Sequence, residues 1–381
     1  MKRPSDSSFA RSRRVLIAPD KFKGTLPARA AAEAIARGWA SSRPRDRLEL
    51  LPMSDGGDGF GEVMSALLGA EPQTLMTTDA AHRPCNACWW WKARSRTAII
   101  ESANVVGLAM LPPRAFHPSE LDTYGLGAVL LAAQARGARQ LLIGIGGSAT
   151  NDGGFGLAQS LGWRFLKQSG EPIIHWTELH LLARIQSSRL IPFHDVTVAV
   201  DVQNKLLGPR GATRIYGPQK GLRPEDFPRA EAAFRQLARV VRQKFGPDFA
   251  QVPGSGAAGG LGFGLLAFLG AKVEPGFELF ARHAKLDQRL RSADLVITGE
   301  GAIDRSTLMG KGVGQIARRC AALGIPRIGL AGYVAPEVRR SRVFSRLAAL
   351  TDLTDVARAK ARPAFWLERL GGRVAKELPL D

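Results

Sequence analysis

The chain has 381 residues, more than one hydrophobic core usually spans, so two domains are expected. Its 45% hydrophobic and 23% charged content is that of a globular protein, and neither a bilayer-length apolar run nor a secretory leader is apparent. The net charge of +19, from 53 basic and 34 acidic residues, is scattered without interleaved stacking aromatics or a recognition helix, which argues against a nucleic-acid partner and for weak attraction of small anions.

Only the start of the chain, with Lys2, Arg3, Arg11, Arg13 and Arg14, concentrates charge, and residues 1–13 read as a flexible basic tail. Val15 to Ala18 reads as a strand, Pro27 to Ala40 as a helix, Leu48 to Leu51 as a strand and Gly59 to Leu68 as a helix. Cys85 to Ala93 and Thr97 to Glu101 look like a hairpin, opening an inserted segment whose second boundary falls between Pro275 and Arg291. The alternation returns with strands at Leu295 to Thr298, Ile328 to Leu330 and Leu347 to Leu350, and helices at Val313 to Leu323 and Pro363 to Leu378. Five strands from the two chain ends suffice for one doubly wound parallel sheet, with its ligand crevice at their carboxyl ends. Residues 14–80 plus 286–381 are therefore expected to form one α/β domain and 81–285 an inserted second one, with the active site in the cleft between them. Three cysteines, Cys85, Cys88 and Cys320, cannot form a fully paired disulfide framework, so a cytoplasmic setting without a membrane partner is expected.

Six polar loops of small residues with isolated carboxylates are expected to converge. Ala18 to Thr25 carries Asp20, Lys21 and Lys23, whose ammonium groups suit a carboxylate or phosphate. Pro52 to Gly59 carries Ser54, Asp55 and Asp58. Gly144 to Gly154, a glycine loop between a strand and a helix, is built to aim amides at phosphate through Gly146, Gly147, Ser148, Thr150 and Asn151. Asp152 within it costs free energy beside phosphate unless it holds a metal or takes a proton, which favours phosphoryl transfer over simple phosphate binding; a tight turn is the bland alternative. Asp201 emerges at a strand end, where a base or metal ligand is expected, with an N-cap or turn aspartate as the alternative; Asn204 follows, and Arg210 and Lys220 read as anion clamps or as solvated loop residues. Pro253 to Gly262 suits either close helix packing or a nucleotide, and a dinucleotide fingerprint is weak there because no obvious strand precedes it. Thr298 to Lys311 offers Glu300 and Asp304 as oxygen ligands for Mg²⁺ and Lys311 for phosphate. A P-loop, protein-kinase motifs and a complete nucleophile elbow are absent, which lowers the hydrolase reading. Cys85 and Cys88 with His82 make only half a zinc site and read as structural.

Taken in order, these loops resemble the bacterial glycerate kinase type 1 family over nearly the whole chain beyond the tail. The strongest parts are Gly146 to Gly154, the Gly208-Pro209-Arg210-Gly211-Ala212 run and Gly217 to Gly221. The resemblance implies a flavodoxin-like domain with a second α/β domain, and ATP-dependent phosphorylation of D-glycerate assisted by Mg²⁺. Alternatives are a kinase for another small hydroxy acid or a non-catalytic sensor of glycerate or nucleotide. On this reading Asp201 is the base, with Asp152 its rival, and Lys21 assists; Asp20, Lys23, Ser54, Asp55, Asn204 and Arg210 meet substrate. Gly146, Gly147, Ser148, Thr150, Asn151 and Lys311 hold ATP, and Glu300 and Asp304 hold the metal. Ala302 and Asp58 depart from the family, which often has arginine and glutamate there. A monomer or homodimer is expected.

Overall fold

The computed structural model describes residues 12–187, 193–310 and 312–379; Lys311 and residues 1–11 of the basic tail lie outside these. Among the described residues the strands are, in chain order, β1 (Arg14–Pro19), β2 (Arg47–Leu50), β3 (Glu71–Thr78), β4 (Pro84–Lys92), β5 (Thr97–Glu101), β6 (Gln140–Gly144), β7 (Arg164–Lys167), β8 (Leu182–Gln186), β9 (Asp195–Ala199), β10 (Lys272–Glu274), β11 (Leu295–Ile303), β12 (Arg327–Val334) and β13 (Arg346–Ala349). They fall into two compact units, residues 1–54 with 281–381, and residues 55–280.

In the first unit the order β13-β12-β11-β1-β2 forms an all-parallel sheet built from both chain ends. Val15 to Ala18 of β1 are all buried, the continuous apolar run expected of a parallel strand covered on both faces. One face is covered by helix Ala28–Ser42, which packs on the terminal helix Pro363–Lys376 around Ile35, Trp39, Leu367 and Leu370. The two helices cross so closely that a Cβ on Gly38 would lie 1.9 Å from the Glu368 carbonyl oxygen. The Arg43 side chain then donates to the carbonyls of Ala375 and Leu378, tying the first helix to the end of the chain.

In the second unit the sheet order is β10-β9-β6-β5-β4-β3, parallel from β10 to β5 and antiparallel beyond. The expected hairpin of β4 and β5 is extended by β3, an edge strand with few buried side chains and hence a weak apolar signal. The first boundary falls at residue 55, not near 80 as expected. The reason is helix Phe60–Leu68, which packs on β4 and β5. Glu101, at the end of β5, accepts hydrogen bonds from the amides of Gly59 and Gly61 at 2.8 and 2.9 Å and so binds the start of that helix to the second sheet. A second core lies around helix Phe227–Phe245 and the β7-β8 hairpin, where Phe155, Phe165, Trp176, Phe234 and Phe268 meet.

Candidate active site

In the second unit Asp201 stands two residues beyond β9, and its Oδ1 accepts hydrogen bonds from the amides of Gly276 (2.9 Å) and Phe277 (3.4 Å) at the start of helix Gly276–His283. The carboxylate is thus anchored by one oxygen, while no hydrogen bond from the described residues reaches Oδ2. The residue is open to solvent, so a small substrate can reach it, yet the protein packed around its carboxyl raises its pKa to about 7. Desolvation is the main cause and the Asp55 carboxylate the next; Glu278 adds to the rise, against the pull of the two amides. Asp55 is brought close by bare backbone: a Cβ on Gly276 would sit 2.1 Å from the Asp55 carbonyl oxygen. An aspartate titrating near neutrality, fixed on one side and open on the other, has the properties of a general base. The capping alternative is met as well, since the same residue accepts from the first amides of helix Gly276–His283.

The glycine loop does something other than expected. Ser148, Thr150, Asn151 and Asp152 are all buried. The Ser148 hydroxyl accepts from the Thr150 amide and pairs with its hydroxyl at 2.9 Å, and the Asn151 side-chain amide faces Thr213 at 3.5 Å. The Gly146, Ala149 and Gly153 amides donate to the carbonyls of Gly56, Val106 and Gly259. The loop packs backbone to backbone: Gly259 has φ +68°, and a Cβ there would lie 2.0 Å from the Thr150 carbonyl oxygen. The phosphate cradle expected of Ser148, Thr150 and Asn151 is therefore corrected to an internal brace; Gly146 is half-buried, and Gly147, exposed, packs against Asp58.

Asp152, the rival base, is also corrected. Its Oδ2 accepts from the Thr123 amide, the Thr123 hydroxyl and the Gly156 amide at 2.9, 2.7 and 3.0 Å, and its Oδ1 from the Gly154 amide at 3.2 Å. Burial, reinforced by Asp122, pushes its pKa up, and no substrate hydroxyl reaches a carboxylate so enclosed. Nearby lies a residue whose role the sequence concealed. Lys220, buried at the end of helix Ala212–Lys220, donates to the Thr150 carbonyl at 2.5 Å, and burial lowers its pKa to about 7 against the opposing attraction of Asp152. Its place in the Gly217 to Gly221 run suggested an anion clamp, but it faces inward.

Asn204 is likewise engaged: its Nδ2 donates to the Arg210 carbonyl and its Oδ1 accepts from the Tyr216 hydroxyl, both at 2.7 Å. Arg210 on the same loop is exposed.

In the first unit the loops after β1, β2 and β11 share one end of the sheet. The Asp20 amide donates to the Gly299 carbonyl at 2.8 Å and the Met53 amide to the Pro19 carbonyl at 2.9 Å. Asp20 and Ser54 are buried, Lys21 is half-buried and Lys23 exposed; Asp20 Oδ1 accepts from the Lys21 amide at 2.7 Å. Among the described residues no group of three or more His, Cys, Asp or Glu side chains is arranged to hold a metal ion. A cation here would be carried mainly by nucleotide phosphates with one or two carboxylates, the usual state of Mg²⁺. Glu300, buried within β11 and bonded from the Thr307 hydroxyl at 2.7 Å, fits that role. Asp304 fits less well: its Oδ1 caps helix Arg305–Leu308 through the Ser306 amide at 2.7 Å.

Comparison with known proteins finds relatives along most of the chain. The family model described as the glycerate kinase family matches residues 15–378. A protein of Halalkalibacterium halodurans named glycerate kinase is 39% identical over 322 residues, covering 84% of this chain and 85% of that one. An Escherichia coli protein named glycerate 2-kinase is 37% identical over 333 residues, 85% of this chain and 86% of that one. A crystal structure from Salmonella typhimurium, described as of a glycerate kinase 2, superposes with a TM-score of 0.82 at 32% identity, covering 96% of this chain and 98% of that one. Among the described residues no helix is long and apolar enough to cross a membrane.

Proposed function

Because this chain belongs to the glycerate kinase family, we propose that it transfers the γ-phosphoryl group of ATP to the 2-hydroxyl of D-glycerate, giving 2-phosphoglycerate and ADP, and that it is a type 1 member. The first unit's strand order, 2-1-3-4-5 when counted within its own sheet, supports the flavodoxin-like architecture that goes with this reading. Three free cysteines suit a cytoplasmic setting.

The observation that carries the mechanism is Asp201, reachable, anchored by Oδ1 and raised to about 7. Its carboxylate takes the proton of the attacking hydroxyl as that oxygen bonds to the γ-phosphorus, and the bond from the γ-phosphorus to the β–γ bridging oxygen breaks to release ADP. Holding the reactants in line and neutralising charge supply most of the acceleration. Arg210 pairs with the substrate carboxylate, a planar fork matched to that group. Lys21 and Lys23 are assigned to anionic ligand groups, and Lys311, outside the described residues, to nucleotide phosphate. Glu300 is assigned to hold Mg²⁺, which when bound neutralises charge on the phosphate oxygens.

Phosphorus NMR of the protein with ATP, Mg²⁺ and D-glycerate tests the reading. A 2-phosphoglycerate resonance is expected. A 3-phosphoglycerate resonance would overturn the regiochemistry, and no phosphoester at all would overturn the activity.

A further inference from the structure

The loop from Asp201 to Gly211 carries two side chains with roles in the reading above, and a third residue beyond the loop holds it in shape. The turn closes on itself, with the Gly211 amide donating to the Gly208 carbonyl at 2.9 Å and the Ala212 amide to the Leu206 carbonyl at 3.1 Å. Asn204 fastens its two halves. Its side chain binds the Arg210 carbonyl at 2.7 Å, and its own carbonyl accepts from the Gly256 amide at 2.9 Å. The remaining polar atom, Oδ1, is met at 2.7 Å by the hydroxyl of half-buried Tyr216, one turn into the following helix. An asparagine amide rotates freely unless both ends are held; here the phenol fixes which end faces Arg210. Burial raises the Tyr216 pKa, which keeps the hydroxyl a donor at neutral pH. The Arg210 guanidinium is exposed, and no hydrogen bond or ion pair from the described residues holds it. The main chain under this arginine is therefore pinned while its charged end is left for a ligand, an arrangement that reduces the ordering cost of binding.

We propose that Tyr216 and Asn204 form a strap that presets Arg210 to receive the carboxylate of the hydroxy-acid substrate, making both positioning residues for substrate affinity. The inference rests on the assignment of Arg210 given above.

Steady-state kinetics of the full-length enzyme with D-glycerate and ATP, on Tyr216→Phe, Arg210→Met and the double variant, test it. Tyr216→Phe keeps the ring and removes one hydrogen bond, so the KM for glycerate should rise about 3- to 10-fold, the range of a single such bond, with kcat, the KM for ATP and Tm nearly unchanged. Arg210→Met should raise the same KM further. In the Arg210→Met background Tyr216→Phe should then have no further effect, because coupled residues fail to add. An equal Tyr216→Phe penalty in both backgrounds would overturn the strap while leaving Arg210 as the clamp. A lowered Tm with unchanged KM would also overturn it. An unchanged glycerate KM in Arg210→Met would instead remove the assignment of Arg210 on which the strap depends.

Discussion

Asp152 and Asp201 follow neighbouring parallel strands, β6 and β9, on the same side of one sheet, yet they differ in almost every physical respect. Asp152 is sealed inside with four hydrogen bonds; Asp201 is open to solvent and held by one oxygen. Both have raised pKa values for the same two reasons, burial first and a neighbouring carboxylate second, Asp122 in one case and Asp55 in the other; what differs is access. In Asp152 burial accompanies satisfied hydrogen bonds, which is how a carboxylate organises backbone. In Asp201 burial acts with an adjacent carboxylate on a group that a ligand can still touch, which is how one is tuned for proton transfer. A perturbed pKa thus marks two kinds of residue, and access separates them.

The contrast breaks most visibly at Asp152. Asp152→Ala takes the nearby opposite charge from buried Lys220 and leaves the Thr123, Gly154 and Gly156 amides without their acceptor, and is expected to cost about 3–5 kcal/mol of stability by chemical denaturation, while the protein that remains folded keeps its KM for glycerate. A stable Asp152→Ala protein with abolished turnover would reverse the two roles. Asp201→Asn is expected to lower kcat roughly a hundredfold or more, with the helix cap retained by the amide oxygen; near-normal turnover would remove Asp201 as the base. The same variant sharpens the contrast through pH. Because the folded Asp201 pKa of about 7 exceeds its ordinary value of 3.8, the native state between these holds a proton there that the unfolded chain has lost. Its stabilising contribution is complete below about pH 4 and disappears as pH rises through about 7. The Tm of Asp201→Asn relative to the parent should therefore climb between pH 4 and 8, while kcat/KM of the parent rises over the upper part of that window; a flat Tm difference would count against the raised pKa. The smallest effect is expected at Glu300→Gln, a several-fold greater Mg²⁺ requirement with little change in Tm. An unchanged Mg²⁺ dependence would take Glu300 out of the metal's surroundings.

The five strands of the first sheet were legible because each is a short apolar run followed by a polar loop, as Val15 to Ala18 and Leu295 to Thr298 illustrate. β3 was not, since an edge strand such as Glu71–Thr78 needs few buried side chains. The boundary at residue 55 was hidden for a related reason: which sheet claims helix Phe60–Leu68 is decided by Glu101, 40 residues away, and no local pattern shows that pairing. At the candidate site, the solvent-open place of Asp201 beyond β9 was legible from its position after an apolar run. The glycine loop misled because absence of a Cβ serves close backbone packing and phosphate approach equally well, and only the Gly259 contact tells which is in use. Lys220 and Asn204 were expected to meet ligands; their partners, the Thr150 carbonyl and the Tyr216 hydroxyl, appear only once helix Ala212–Lys220 is placed.

In the first sheet β1 pairs with β11 on one side and β2 on the other, so its central register is completed by residues that begin at 295. During synthesis the opening 54 residues therefore emerge without their partner strand, and at ribosomal speed the wait lasts roughly 10–50 s. The second unit, continuous from 55 to 280, is wholly translated in that interval. The order of closing thus differs from the order of emergence: the unit made second can close first, and the apolar segment Val15 to Ala18 waits for the strand that begins at Leu295.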